Sequence, residues 1–168
     1  MWTFESTWAF TQGLVEGKQL VDLLRTTFFN WDAALFSLDD NELIVRPSYF
    51  EELEKRGLAI NLRPTPNEFG AAVRALRLMA VEDLTLTAGL AQFIQSQIIE
   101  HGIHRIVNED AKRTGRRRLT TCFVGTVAIA LRQHQATRAD QPFAFSSFQQ
   151  RLPLGSDGQI NVGLLGGA

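Results

Sequence analysis

Apolar residues recur at helical spacing along much of this chain. From Glu5 to Phe29 they follow one another at steps of three, four and seven, and the stretch from Phe69 to Ala80 repeats that pattern. Between Val81 and Lys112 a nearly continuous apolar face is interrupted only by Gly89 and Gly102. Each of these patterns predicts an amphipathic helix, so we expect a mainly α fold, a helical bundle of about four to five helices.

Shorter segments complete the expected architecture. Leu119 to His134 predicts a further helix, and Tyr49 to Arg56 predicts a short one that Ser48 could cap. Leu43 to Val45 and Leu58 to Leu62 have the length and composition of strands, and we expect them to pair as a small two-stranded ribbon. Such a ribbon is marginally stable unless a helix or a neighbouring subunit covers it.

The C-terminal segment differs in composition from the rest of the chain. We divide the sequence into a helical domain, residues 1–138, and an extended arm, residues 139–168, which holds only three charged side chains and ends in a glycine-rich run. Termini are seldom ordered unless something holds them, and the arm has too little periodicity to fold alone. We therefore expect the arm and the apolar N-terminus to contact a partner through Trp2, Phe4, Phe143, Phe145, Phe148, Leu152 and Leu154.

Charge is distributed unevenly although the net charge is only -1. Residues 1–84 carry thirteen acidic and eight basic side chains, whereas residues 85–168 carry five acidic and nine basic ones. Acidic residues concentrate between Asp39 and Glu54. Two interpretations stay open: unlike patches of neighbouring copies meet in a head-to-tail assembly, or both patches are solvated faces of a monomer.

The densest local charge is a basic run that places five cations in seven residues: Lys112, Arg113, Arg116, Arg117 and Arg118. Arginine side chains suit phosphate oxygens, so this loop could contact a nucleic-acid backbone. It could equally pair with carboxylates near Glu51 to Glu54, in the same chain or in another copy. The overall pI of about 6.3 favours the protein contact, because nucleic-acid-binding domains are usually basic overall.

Other candidate chemistry is sparse. Glu100, His101 and His104 fall within one helical turn, but a stable metal site needs further ligands. Cys122 is the single cysteine, and we expect it in the core. Phosphate-loop, dinucleotide and serine-nucleophile motifs are missing, so we expect no cofactor and no catalysis. The sequence also shows no membrane-spanning run and no secretory signal, which favours a soluble protein in the cytoplasm or inside an assembled particle.

Together these patterns favour a non-enzymatic structural subunit that contacts copies of itself or other protein subunits through its termini and its opposed charges. Connector and neck components of tailed viruses combine helical cores with exchanged arms, so a virion component is a possible setting by analogy only. The alternative is a nucleic-acid-binding accessory or regulatory protein that uses the basic run, residues 112–118.

Overall fold

The computed structural model describes residues 6–17 and 19–146, and within them the fold is mainly helical, as predicted. The α-helices are α1 (Trp8–Thr11), α2 (Tyr49–Glu54), α3 (Glu68–Val81), α4 (Ala88–His101), α5 (Ile103–Thr114) and α6 (Thr121–Arg138). Two 3₁₀ helices cover Leu20–Thr26 and Asn30–Asp32. The strands are β1 (Ala34–Ser37), β2 (Glu42–Val45), β3 (Gly57–Leu58), β4 (Leu84–Leu86) and β5 (Phe143–Phe145).

Helices α3 to α6 surround the core, and side-chain caps fix where two of them begin. The Asn67 side chain accepts a hydrogen bond of 2.8 Å from the Gly70 N–H at the start of α3. The Thr120 hydroxyl accepts one of 3.1 Å from the Phe123 N–H at the start of α6. The side chains buried between these helices include Leu76, Met79, Leu90, Ile94, Ile106, Val124, Val127 and Leu131.

The single helix predicted from Val81 to Lys112 is wrong. Its beginning is strand β4, and the remainder is split at Gly102 into α4 and α5. Gly102 has φ 76° and ψ 155°, a backbone conformation that is essentially restricted to glycine. Gly102, which interrupts the apolar face in the sequence, is therefore the point at which α4 ends and α5 begins.

The long N-terminal helix predicted from Glu5 to Phe29 is also wrong over the described residues. Helix α1 ends at Thr11, and the chain forms no regular helix again until Leu20–Thr26. Gly13 and Gly17 both adopt positive φ, 65° and 147°, which a right-handed helix cannot contain. The helical spacing of the apolar residues was therefore overridden by these two glycines.

A small two-stranded antiparallel ribbon is present, but its strands are not the pair predicted. Strand β2 pairs with β1, so that Phe36 lies opposite Leu43 and Leu35 lies opposite Ile44. Leu58, expected to pair with residues 43–45, instead belongs to β3 and lies beside Leu86 of β4. A hairpin closes a far shorter loop than a pairing across α2, which favours the local partner.

The first part of the predicted arm folds onto its own chain. Strand β5 pairs antiparallel with β4, and Phe143 is 5% exposed. The prediction that Phe143 needs a partner is therefore wrong, because β4 and α6 already cover it. Phe145 is half-buried, with its ring 5.8 Å from that of Phe123. The other predicted contact residues of the termini, Trp2, Phe4, Phe148, Leu152 and Leu154, lie outside the described residues.

Among the described residues, none of the helices combines the length and apolar character needed to cross a membrane.

Candidate functional site

The ribbon formed by β1 and β2 presents apolar side chains to solvent. Phe36 and Leu43 are cross-strand neighbours on one face and are 55% and 48% exposed. Leu38, in the turn that joins the strands, is 86% exposed. A two-stranded ribbon with an uncovered apolar face is a surface that a partner would stabilise.

The turn of the ribbon has a defined local structure. The Ser37 hydroxyl donates a hydrogen bond of 2.8 Å to the Asp40 carboxylate, which ties the end of β1 to the turn. Asn41 adopts φ 53°, a left-handed conformation that asparagine tolerates better than most residues. The turn therefore holds Leu38 at the end of the ribbon.

Acidic side chains surround Leu38. Asp39, Asp40 and Glu42 are all exposed, and within the described residues none of them forms a salt bridge. We call Leu38–Glu42 the ribbon tip. It combines an exposed apolar side chain with three carboxylates whose charge is not neutralised by a neighbouring base.

Two of the three remaining acids of the Asp39–Glu54 stretch are already engaged, whereas Glu54 is exposed and forms no salt bridge within the described residues. Glu51 pairs with Lys55, and the Glu52 carboxylate pairs with Arg46. Glu52 also accepts hydrogen bonds from the Asn30 amide at 2.6 Å and the Ser48 hydroxyl at 2.9 Å. Partial burial alone would raise the pKa of Glu52, but the hydrogen bonds and the Arg46 charge outweigh it, so the pKa is lowered.

The Glu52 contacts serve the fold, because they join β2 and α2 to the 3₁₀ helix Asn30–Asp32. The prediction that the basic run pairs with carboxylates near Glu51 to Glu54 is therefore not seen within one chain.

The basic run begins in the last turn of α5, with Lys112 and Arg113, and continues into the loop between α5 and α6, with Arg116, Arg117 and Arg118; its cations are exposed. Arg113 pairs with Glu109 at 2.5 Å. The other four, Lys112, Arg116, Arg117 and Arg118, have no salt-bridge partner in the part of the chain that the structure describes. Gly115, with φ 66°, ends α5 in the left-handed conformation and turns the chain.

A fully buried carboxylate holds this loop in place. Asp110 accepts hydrogen bonds from the backbone N–H groups of Arg118 and Leu119 at 2.7 and 2.8 Å. Its second oxygen lies 3.6 Å from Nε of Arg77 on α3. The loop is therefore anchored from beneath, and its cations are presented on a fixed backbone.

A depression of about 180 Å³ lies between α3 and this loop. Leu78 and Val81 supply its apolar lining, and Val81 is 58% exposed. Its remaining lining residues are arginines: Arg74, Arg77 and Arg118. Arg74 is paired with Asp32 and Arg77 with Asp110, whereas Arg118 keeps its charge unpaired within the described residues.

A second apolar surface lies between α4 and α6. A groove of about 420 Å³ is lined by Ile98, Ile99 and Ile129, with Gln95 and Arg132 among its polar lining residues. Ile99 and Ile129 are 76% and 61% exposed. This groove is another candidate contact surface, and Arg132 is the charged residue among its described lining residues.

The side chains of Glu100, His101 and His104 do not converge on a shared metal site within the described residues. His101 packs on Phe69, with ring centroids 4.2 Å apart, and its Nε2 lies 3.8 Å from the Glu100 carboxylate. Groups of three metal-ligating side chains are not found over residues 6–17 and 19–146. Cys122 is exposed in the first turn of α6, so its expected position in the core is wrong.

Among the predicted contact residues that the structure describes, the phenylalanines of the arm and the cations of the basic run differ in exposure. Phe143 and Phe145 pack on their own chain, while the basic run is exposed as a unit. Sequence reasoning missed Phe36, Leu38 and Leu43. The only signal was the cluster Asp39-Asp40-Asn41, whose turn chemistry between two apolar segments is typical of a hairpin.

Comparison of this chain with protein-family models, curated proteins and solved structures found no match.

Proposed function

We propose that this protein is a non-enzymatic structural subunit that assembles with copies of itself, and that the ribbon formed by β1 and β2 is its principal contact. The observation that carries the proposal is the exposed face of the ribbon, where Phe36 and Leu43 lie side by side and Leu38 projects at the tip.

The energetics of burial support this choice of surface. Fully burying a large apolar side chain contributes about 1.5 to 3 kcal/mol, so Phe36, Leu38 and Leu43 together supply a gross stabilisation of several kcal/mol at an interface. Association then subtracts the loss of translational and rotational freedom. The net stabilisation that remains for one such contact is small, so it suits an assembly in which each subunit makes several contacts.

The proposal is tested by the native mass of the full chain and of a variant with Phe36→Thr and Leu43→Thr. Threonine favours strands, so the ribbon is kept while its apolar face is removed. We expect the wild type to exceed the monomer mass of 18.8 kDa by multi-angle light scattering, and the variant to shift toward that mass. The matched control is Ile99→Thr with Ile129→Thr, which alters the groove between α4 and α6.

A variant in Phe36 and Leu43 that assembles as fully as the wild type would contradict the role of the ribbon. A loss of assembly in the control alone would move the contact to the groove between α4 and α6.

A second candidate function is binding of nucleic acid through the basic loop. It is favoured by one observation: Lys112, Arg116, Arg117 and Arg118 are exposed, free of carboxylate partners among the described residues, and held on a backbone that Asp110 anchors. If this candidate is correct, changing Arg116, Arg117 and Arg118 to alanine abolishes a steeply salt-dependent affinity for DNA and leaves the native mass unchanged. A wild type without salt-dependent DNA affinity rules it out.

A further inference from the structure

We propose that the ribbon tip of one copy inserts into the depression between α3 and the basic loop of a second copy, with Leu38 against Leu78 and Val81. This inference rests on the proposed assembly function and names the two surfaces that meet. Because the tip and the depression are different surfaces of the same chain, the contact is made reciprocally in a two-fold dimer or repeated head to tail along a series of copies.

The two surfaces match in their apolar parts. Leu38 is the most exposed of the large hydrophobic side chains in the described residues, and it stands at the end of a projecting hairpin. The depression of about 180 Å³ offers Leu78 and the exposed Val81 as its apolar lining. Leu78 and Val81 form an apolar patch beside the three arginines of the depression, and burying the Leu38 side chain against this patch removes apolar surface from water on both copies.

The two surfaces also match in charge. The tip carries Asp39, Asp40 and Glu42, and the depression is bordered by Arg118, with Arg116 and Arg117 next to it in the same loop. Both sets are exposed, and within the described residues neither set forms a salt bridge inside its own chain. Opposite fields of this kind select the partner and its orientation.

The groove between α4 and α6 lacks this second match. It is apolar and exposed, but among the described residues its charged lining is Arg132 alone, so its charge selects the acidic ribbon tip less strongly than the basic run does. The charge on both sides therefore favours the depression beside the basic loop as the acceptor.

A heterologous contact leaves one donor and one acceptor surface free at the ends of any open chain of copies. Repetition of such a contact closes into a ring when the rotation between copies permits, and otherwise continues as a filament. The mass of the assembly therefore distinguishes a reciprocal dimer from a head-to-tail ring or filament.

Charge reversal tests the contact directly. The tip variant carries Asp39→Lys and Glu42→Lys and keeps Asp40, which accepts the hydrogen bond from Ser37. The loop variant carries Arg117→Glu and Arg118→Glu. Each variant alone places like charges against each other, and we expect self-association to weaken by about tenfold or more in sedimentation equilibrium.

Mixing the two variants restores opposite charges at both contacts, because the basic tip of one meets the acidic loop of the other. We expect the mixture, and a single chain carrying all four substitutions, to recover assembly close to that of the wild type. The matched control for the loop variant is Arg105→Glu with Arg138→Glu, which makes the same change in net charge as the loop variant at exposed positions on α5 and α6 and should leave association unchanged.

The variant Leu38→Ser tests the apolar part independently of charge. Its side chain is 86% exposed, so its loss should leave the urea unfolding curve unchanged while weakening assembly. The comparison variant Ile99→Ser, 76% exposed on α4, should not weaken assembly.

The outcomes separate this contact from the proposed function. A wild type that stays monomeric at every concentration overturns the assembly function and the contact together. A wild type that assembles, with reversal variants that behave like the control or a mixture that fails to recover, overturns only the contact between tip and loop.

Discussion

At the scale of single residues, the most informative group is the Glu52 carboxylate of α2, because it connects α2 to the end of β2 through Arg46 and to the 3₁₀ helix Asn30–Asp32 through Asn30. Its partners are Asn30, Arg46 and Ser48. Since its folded-state pKa lies below the ordinary value of 4.5, the charged form stabilises the fold above that value. This contribution is lost as the pH falls through the lowered folded-state pKa.

We therefore expect Glu52→Gln to lower the free energy of unfolding at neutral pH, and the difference from wild type to shrink as the pH falls below 4.5. Urea unfolding monitored by circular dichroism across the acid range measures this difference. The matched control is Glu54→Gln, an exposed carboxylate on the same helix with no salt bridge within the described residues. A difference that stays constant from neutral to acid pH would contradict the role given to Glu52.

Sequence patterns at this scale indicated types of residue but not their surroundings. The basic run was visible as five cations, and the structure places them together as predicted. From the sequence, by contrast, Asp110 is expected to be an exposed acid on the surface of a helix. In the structure it is fully buried beneath the loop. The buried Asp110 carboxylate accepts hydrogen bonds from backbone N–H groups eight and nine residues further along the chain. The apolar periodicity around Asp110 does not indicate partners at that distance.

At the scale of elements, the break between α4 and α5 depends on one glycine. We expect Gly102→Ala to lower the free energy of unfolding by about 1 to 3 kcal/mol, because its backbone conformation is nearly inaccessible to residues with a side chain. The matched control is Gly89→Ala, inside α4 with open space around the added carbon, which should raise stability by up to about 1 kcal/mol. Two substitutions with equal effects in urea unfolding would be inconsistent with this assignment.

The start of the predicted arm offers a second comparison between matched positions. Phe143 in β5 is buried against its own chain, whereas Phe36 in β1 is exposed. We expect Phe143→Ala to lower the free energy of unfolding by about 3 to 5 kcal/mol, the usual range for a buried phenylalanine. Phe36→Ala should change it by less than about 0.5 kcal/mol when measured at low protein concentration. Similar losses at the two positions would mean that β5 does not belong to the core.

The elements that the sequence predicted well are those whose ends carry local signals. Helix α3 follows its apolar periodicity and the Asn67 cap, and α6 follows the Thr120 cap. Some failures are local, where glycines end helices that the apolar spacing extended across them, and others involve strand partners at long separation. The pairing of β3 with β4 joins Leu58 to Leu86, and the apolar spacing around either residue is equally compatible with a helix or a different strand.

At the scale of the whole molecule, the charge asymmetry between the halves of the sequence corresponds to two exposed surfaces. Within the described residues, the densest group of acids without a salt bridge is the ribbon tip, because Glu51 and Glu52 are paired within the chain and Glu54 is a single unpaired carboxylate on α2. The densest group of bases without a salt bridge is Lys112, Arg116, Arg117 and Arg118, at the end of α5 and in the loop that follows it. The acidic ribbon tip and the basic run do not pair with each other within one copy, so both sets of charges are available to a second copy. This availability is the physical basis of the proposed assembly.

The native mass of the wild-type chain as a function of protein concentration decides whether the uncovered ribbon is a contact between copies. Sedimentation velocity at low salt should show species heavier than 18.8 kDa that grow with concentration and dissociate as salt screens the tip and the loop. A single species of 18.8 kDa at every concentration and salt would contradict the account.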